Sequence, residues 1–234
     1  MHTVGRTAGQ TVTLDAIIEA VGREPYFRDE SVCIYHGDCR DILPLIPGVD
    51  LVLTDPPYGI AHPTNYRERG RSKLALCTDY VPVHGDDEPF EPAPLLEIGP
   101  CILWGANHYA ERLPSSASWL VWDKERPDEL DQSTCELAWS NGTKGVRRFR
   151  HLWNGMMRAS ERGENYHPTQ KPVALMRWCL SLVPEAHTVL DPYMGSGPIL
   201  RAAKDLGRYA IGIEIELKYC EIAAQRMSQS VMAL

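Results

Sequence analysis

Thr188-Val189-Leu190-Asp191-Pro192-Tyr193-Met194-Gly195-Ser196-Gly197 is the stretch whose reading decides the fold. A short apolar run meets an acid and a proline, then a turn with two glycines. The helical spacing Ile199, Leu200, Ala203, Leu206 follows, with Gly207 as a helix stop. This is a buried strand, a tight turn and a helix. Small residues in the turn let a ligand pass close to the main chain. A lone Gly-x-Gly is weak evidence, but its setting between strand, acid and helix is stronger. Upstream, the apolar run Val49-Asp50-Leu51-Val52-Leu53-Thr54 ends in Asp55-Pro56-Pro57-Tyr58. Such turns belong to the carboxyl edge of a parallel sheet, where open α/β folds bind ligands.

Working outward, Leu14, Ile17, Ile18 and Val21 share a helical stripe that Gly22 and Pro25 end. Val32–Tyr35, Cys101–Trp104, Trp119–Trp122, Glu136–Trp139 and Tyr209–Ile213 read as further strands, and Asp41–Leu43 as a helical turn. Helices are expected over Val173–Val183 and from Lys218 to Met227. Residues 59–100, rich in Pro, Gly and charge, read as loops over a site, and 141–166 as a polar, basic, Gly-containing loop. Near-continuous apolar strands alternating with helices specify an α/β fold with a mostly parallel sheet covered on both faces.

The 234 residues suffice for one well-buried domain, 1–234, in which 59–166 carries inserted loops. With 44% hydrophobic and 24% charged residues, the chain has the balance of a globular protein. No apolar run is long enough for a membrane span, and no membrane partner is expected. Met1–Arg6 lacks the apolar core of a signal peptide. The seven cysteines are scattered with no Cys-x-x-Cys pair, which fits reduced thiols in the cytoplasm; no metal site is expected. The net charge of −7 excludes a wholly basic nucleic-acid coat but not a local basic surface. Arg67, Arg69, Arg71 and Lys73 cluster around Glu68. Lys144, Arg147, Arg148, Arg150, Arg158 and Arg162 face a single acid, Glu161. Each cluster reads either as a phosphate-binding loop or as an ordinary solvated face.

Asp38, Asp55, Asp191 and Glu214 each follow a strand. One such acid is usually a helix cap. Four at one sheet edge supply the acceptors that an adenosine ligand needs for its ribose hydroxyls and exocyclic amine.

At this point the chain resembles a known family, the S-adenosylmethionine-dependent DNA methyltransferases that act on adenine N6 or cytosine N4. Asp55–Tyr58 is similar to the family's catalytic motif, and Asp191–Gly197 to its cofactor motif. His167-Pro168-Thr169-Gln170-Lys171-Pro172 is similar to the segment before the latter, and Gly37-Asp38 and Gly212-Ile213-Glu214 to two more cofactor-binding strand ends. Tyr193 stands where Phe is usual, and Pro198 where Thr is usual; proline suits the first turn of a helix. The catalytic motif precedes the cofactor motif, which is the circularly permuted β-group order. The resemblance implies a Rossmann-like methyltransferase fold in which strands 188–190 and 209–213 adjoin 32–35 and 51–54.

It further implies that Asp191, Gly195 and Gly197 line the methionine part of the cofactor, with Tyr193 and Ser196 also among the cofactor-binding residues. Glu214 would take the ribose, Asp38 the adenine amine, and Thr169 and Lys171 the cofactor's carboxylate. His167 reads as a structural cap. An aromatic amine is a poor nucleophile, and two acceptors, the Asp55 carboxylate and the Pro56 carbonyl, are suited to favour a more tetrahedral nitrogen. Pro56 and Pro57 stiffen the turn, and Tyr58 offers a ring to stack on a flipped base. Asp at position 55 resembles the adenine group, and the partner is then double-stranded DNA. Cytosine N4 methylation, a non-catalytic DNA-binding module, and a methylase of RNA or protein stay open as alternatives. A monomeric or homodimeric state and a restriction endonuclease partner are likewise left open.

Overall fold

The computed structural model describes residues 12–61, 84–127, 129, 133–154, 157–161, 166 and 170–229. The strands are β1 (Phe27–Arg28), β2 (Val32–His36), β3 (Leu51–Thr54), β4 (Cys101–Trp104), β5 (Ser118–Asp123), β6 (Cys135–Ser140), β7 (Arg147–Arg150), β8 (Trp153–Asn154), β9 (Met157–Arg158), β10 (Thr188–Asp191) and β11 (Tyr209–Glu214). The α-helices are α1 (Leu14–Val21), α2 (Cys39–Ile42), α3 (Ala93–Leu96), α4 (Val173–Ser181), α5 (Pro198–Asp205) and α6 (Leu217–Ser228).

One sheet runs in the order β1-β2-β11-β10-β3-β4-β6-β5-β7. From β2 to β4 every pairing is parallel, and β6 runs antiparallel to both of its neighbours. β10 and β11, late in the chain, slot between β2 and β3, which come early. This is the permuted order expected from the motifs. β3 pairs directly with β10, with Leu51 opposite Val189 and Val52 opposite Leu190. The amine motif and the glycine motif therefore emerge side by side.

Strand alternation explains the layers. Val32, Ile34, Leu51, Leu53 and Val189 pack with Leu175, Met176, Leu200 and Ala223 of α4, α5 and α6. Cys33, Tyr35, Val52 and Leu190 point to the other face, against Ile17, Ile42 and Leu95 of α1, α2 and α3. Both faces are covered, so these central strands carry apolar residues at successive positions. Among the described residues, no helix is long and apolar enough to cross a membrane.

The expectation of loop throughout 141–166 is corrected. Residues 147–150 form β7, the edge of the sheet, paired parallel to β5, and β8 and β9 form a separate small hairpin. An edge strand needs only one backbone partner and carries charge readily. Arg147, Arg148 and Arg150 are exposed around the half-buried Phe149, and this hid the strand from an apolar-pattern reading.

Candidate active site

Asp55 leaves the end of β3 into a turn stiffened by Pro56 and Pro57. Asp86 closes that turn: its Oδ1 accepts from the backbone N–H of Tyr58 at 2.9 Å and of Gly59 at 3.0 Å. The Tyr58 hydroxyl donates to Asp55 Oδ1. The Tyr58 ring stacks on His108, with centroids 5.0 Å apart and planes 12° from parallel. Gly105, in the left-handed region at φ 71°, also lies against this ring. A Cβ there would overlap the Tyr58 ring. Gly105→Ala should therefore displace Tyr58. We expect methyl transfer to fall roughly 10²-fold, as for a small misplacement of a reacting group, and stability to drop by about 1–3 kcal/mol from backbone strain. Single-turnover assays and denaturant melts measure both effects; a fully active, equally stable variant would contradict this role for the glycine.

Behind Asp55 lies a line of alternating charges. Lys171 Nζ is 2.5 Å from Asp55 Oδ2 and 3.2 Å from the Tyr58 hydroxyl. The same ammonium lies 3.0 Å from Glu136 Oε2, an ionic contact without hydrogen-bond geometry. Glu136 Oε1 in turn meets Lys124 Nζ at 2.5 Å. Burial pushes the Glu136 carboxyl up, but the two ammoniums outweigh it and hold the group down at about 2. Burial pushes the Asp55 carboxyl above its ordinary range, against the pull of Lys171. Burial would lower Lys171, but Asp55 and Glu136 more than offset that and keep it charged. Tyr58 is driven well up by burial and by the Asp55 charge, so it stays a donor.

The neighbouring turn is built from the glycine motif. Asp191 is buried; its Oδ1 accepts from Thr54 Oγ1 at 2.7 Å and from the Tyr193 N–H at 3.2 Å. Burial pushes its carboxyl up to about 7. Thr54 immediately precedes Asp55, so this hydrogen bond ties the two motifs together. Glu214 Oε2 accepts from the Gly195 N–H at 2.9 Å and its Oε1 from Glu216 N–H at 2.8 Å. Ser196 is buried, and its carbonyl accepts from Arg226 at 2.9 Å. Gly197 begins α5 at φ 76°, packed so closely on α6 that a Cβ would meet that of Ala223 at 3.1 Å; Pro198 occupies the first helical turn. Asp38 caps α2 through the Arg40 N–H and pairs with the Arg40 guanidinium at 2.6 Å, which holds its carboxyl below the ordinary range.

Of the residues singled out from sequence, Asp55, Pro56, Pro57, Tyr58, Lys171, Asp191, Tyr193, Gly195, Ser196, Gly197, Glu214 and Asp38 stand along one edge, at the carboxyl ends of β2, β11, β10 and β3 or against them. Lys171, expected beside the cofactor's carboxylate, has its ammonium on Asp55 and Glu136. Thr169, Arg67, Arg69, Arg71 and Lys73 lie outside the described residues. Lys144, Arg147 and Arg148 are exposed at the far edge of the sheet. Arg150, on the same strand, is paired with Asp123 and Glu125 at 3.5 and 3.1 Å. Arg158 lies 4.1 Å over the Trp153 ring.

Sequence reasoning missed Glu136, Lys124, Asp86, His108 and Gly105. Glu136 escaped for a topological reason. A search for acids after strands finds the carboxyl edge only when strands are parallel. β6 is antiparallel, so its beginning reaches that edge, with Glu136 opposite Trp122 near the end of β5. An acid at the start of a strand, with lysines at 124 and 171 to pair it, was the available signal.

A family model described as DNA methylase, of the N6/N4 type, matches residues 99–225. The Type II methyltransferase M2.DpnII of Streptococcus pneumoniae is 39% identical over 249 residues, covering 87% of this chain and 92% of that protein. The Type II methyltransferase M2.LlaDCHI of Lactococcus lactis subsp. cremoris is 24% identical over 251 residues, covering 88% and 93%. The solved PvuII DNA methyltransferase, described as cytosine-N4-specific, superposes with a TM-score of 0.62 at 15% identity, over 91% of this chain and 92% of that one. The M1.HpyAVI–SAM complex gives 0.53 at 24% identity, over 83% and 99%. At these identities the solved structures establish the shared fold. The family match spans more than half of the chain, and the pneumococcal relative aligns across most of both proteins. This chain belongs to the N6/N4 DNA methylase family.

Proposed function

We propose that the protein transfers a methyl group from S-adenosylmethionine to adenine N6 in double-stranded DNA, in the cytoplasm. The observation that carries this reading is the Thr54–Asp191 hydrogen bond, which fixes an amine-accepting turn beside a glycine turn on adjacent strands. The donor set suits the cofactor. Asp38 and Glu214 offer carboxylates for hydroxyl and amine groups, and Asp191 offers one for a cationic centre; Gly195 and Gly197 keep side chains out of the turn. Bound there, S-adenosylmethionine supplies an electrophilic methyl group.

The rest of the chemistry falls to the chain itself. Asp55 and the Pro56 carbonyl accept the two N–H bonds of the target amine and free its lone pair. A carboxylate offers about four lone-pair sites, so Asp55 can accept the amine while Lys171 and Tyr58 remain. Methylation leaves the nitrogen a proton to lose, and Asp55 is the base beside it. Flipping the base from the duplex costs a few kcal/mol, which stacking in the pocket partly offsets. Positioning and electrostatics supply most of the rate. Arg67, Arg69, Arg71, Lys73, Lys144, Arg147, Arg148, Arg150 and Arg158 would meet phosphates, and residues 59–166 would choose the target. Relatives named as Type II methyltransferases make a restriction endonuclease partner worth seeking.

Sequencing DNA from cells that express the protein, with detection of modified bases, tests the reading. N6-methyladenine in one short recurring context is expected; N4-methylcytosine alone would overturn the adenine assignment. Asp191 gives a second test. Below its raised value of about 7 it carries a proton. A cation held beside it favours the charged form, so Asp191 sheds that proton on cofactor binding, and affinity rises as pH goes from 5 to 7. Calorimetry at pH 6 in two buffers of different ionisation enthalpy should detect the release, and Asp191→Asn should remove it. Equal heats in both buffers would contradict it.

A further inference from the structure

We propose that Glu136 is a positioning residue for methyl transfer, one that shares the Lys171 ammonium with Asp55 and so keeps Asp55 a strong acceptor for the target amine. The proposal rests on the reading of Asp55 as that acceptor. Lys171 Nζ touches Asp55 Oδ2 at 2.5 Å and Glu136 Oε2 at 3.0 Å, so one positive charge is divided between two carboxylates. Given wholly to Asp55, the same charge would neutralise it and weaken its grip on an N–H. Lys124 completes the line by holding Glu136 Oε1 at 2.5 Å, which lets Glu136 stay ionised in a site where a lone carboxylate would take up a proton. Lys124 itself has its side chain only 9% exposed. Two long cationic side chains are thus withdrawn from solvent around one acid that belongs to neither motif.

The arrangement has a signature in the acid limb of the pH profile measured at saturating cofactor, where Asp191 is held ionised and the limb reports Asp55. The charged or titratable groups facing Asp55 are Lys171, Tyr58, Tyr109, Glu136 and Asp191, with Lys124 and Arg126 acting through Glu136. His108 stacks on the Tyr58 ring. Glu136→Gln removes a negative charge and hands Lys171 to Asp55, so the acid limb moves down. Lys124→Met removes a positive charge and leaves Glu136 to draw on Lys171 alone, so Asp55 keeps less of that charge and the limb moves up.

The experiment measures kcat/KM for methylation of duplex DNA against pH in the full chain, for the wild type, Glu136→Gln, Lys124→Met and Asp55→Ala, with cofactor affinity measured separately. We expect Glu136→Gln to lose roughly 10-fold in kcat with unchanged cofactor affinity. The two charge variants should shift the limb in opposite directions by about one pH unit. Shifts in the same direction, or none, would overturn the proposal, because a merely structural glutamate would lower the melting temperature and leave the limb in place. A fully active Asp55→Ala would instead overturn the underlying reading.

Discussion

Asp55→Ala is expected to lower the rate of methyl transfer by about 10³-fold and to leave cofactor affinity within roughly threefold, as when an aligned transition-state contact is lost. The carboxylate is the one charged acceptor in the Asp55–Tyr58 turn, and both of its oxygens are already aligned, Oδ1 by Tyr58 and Oδ2 by Lys171. Removing it costs the reaction its orienting acceptor and its nearest base. The cofactor edge should be spared. Asp191 is held by Thr54 and by the Tyr193 N–H, and Glu214 by the Gly195 and Glu216 N–H groups, none of which depends on Asp55. Single-turnover transfer of a labelled methyl group, with cofactor binding by calorimetry, separates the two effects. A parallel loss of binding and rate would show that Asp55 supports the cofactor turn instead.

Lys171→Met is expected to cost both activity and fold. The Lys171 side chain is 5% exposed and lies between carboxylates 16% and 25% exposed. Removing the shared cation leaves Asp55 without a charge partner and Glu136 with Lys124 alone. Breaking a buried pair from one side costs about 3–5 kcal/mol, and the partial exposure of Glu136 favours the lower figure. For a chain of this size about 3 kcal/mol lowers the melting temperature by roughly 6–12 °C. The pH dependence has a definite sign. Without Lys171, burial acts on Asp55 against the Tyr58 hydrogen bond alone, so its carboxyl lies further above the unfolded value. The folded state then binds more protons than the unfolded state just above the ordinary carboxylate range, and the variant gains stability relative to the wild type as pH falls from 7 towards 5. Thermal melts of both proteins across that range measure the gap; one that widens on acidification would contradict the buried ion-pair account.

Much of the architecture was legible because central parallel strands must be apolar on both faces. Val32–Tyr35, Leu51–Thr54, Cys101–Trp104 and Thr188–Leu190 therefore announce themselves, and all lie fully buried. The turns at Asp55 and Asp191 were legible because prolines and glycines mark them. The rest of the site was hidden by features that have no local signal. Glu136 belongs to the edge through the direction of β6, and direction is a property of the sheet, not of any short segment. Gly105 matters because of a ring that arrives from position 58. Asp86 matters because its carboxylate reaches back across the chain to cap the Asp55 turn. β7 was hidden by its arginines, which an edge strand tolerates and a central one would not.

The most direct test of the central claim is nucleoside analysis of duplex DNA treated with the purified protein and labelled S-adenosylmethionine. The account predicts label in N6-methyladenine, reduced by about 10³-fold when Asp55→Ala replaces the wild type. Label confined to N4-methylcytosine, or label in adenine that persists undiminished in Asp55→Ala, would contradict it.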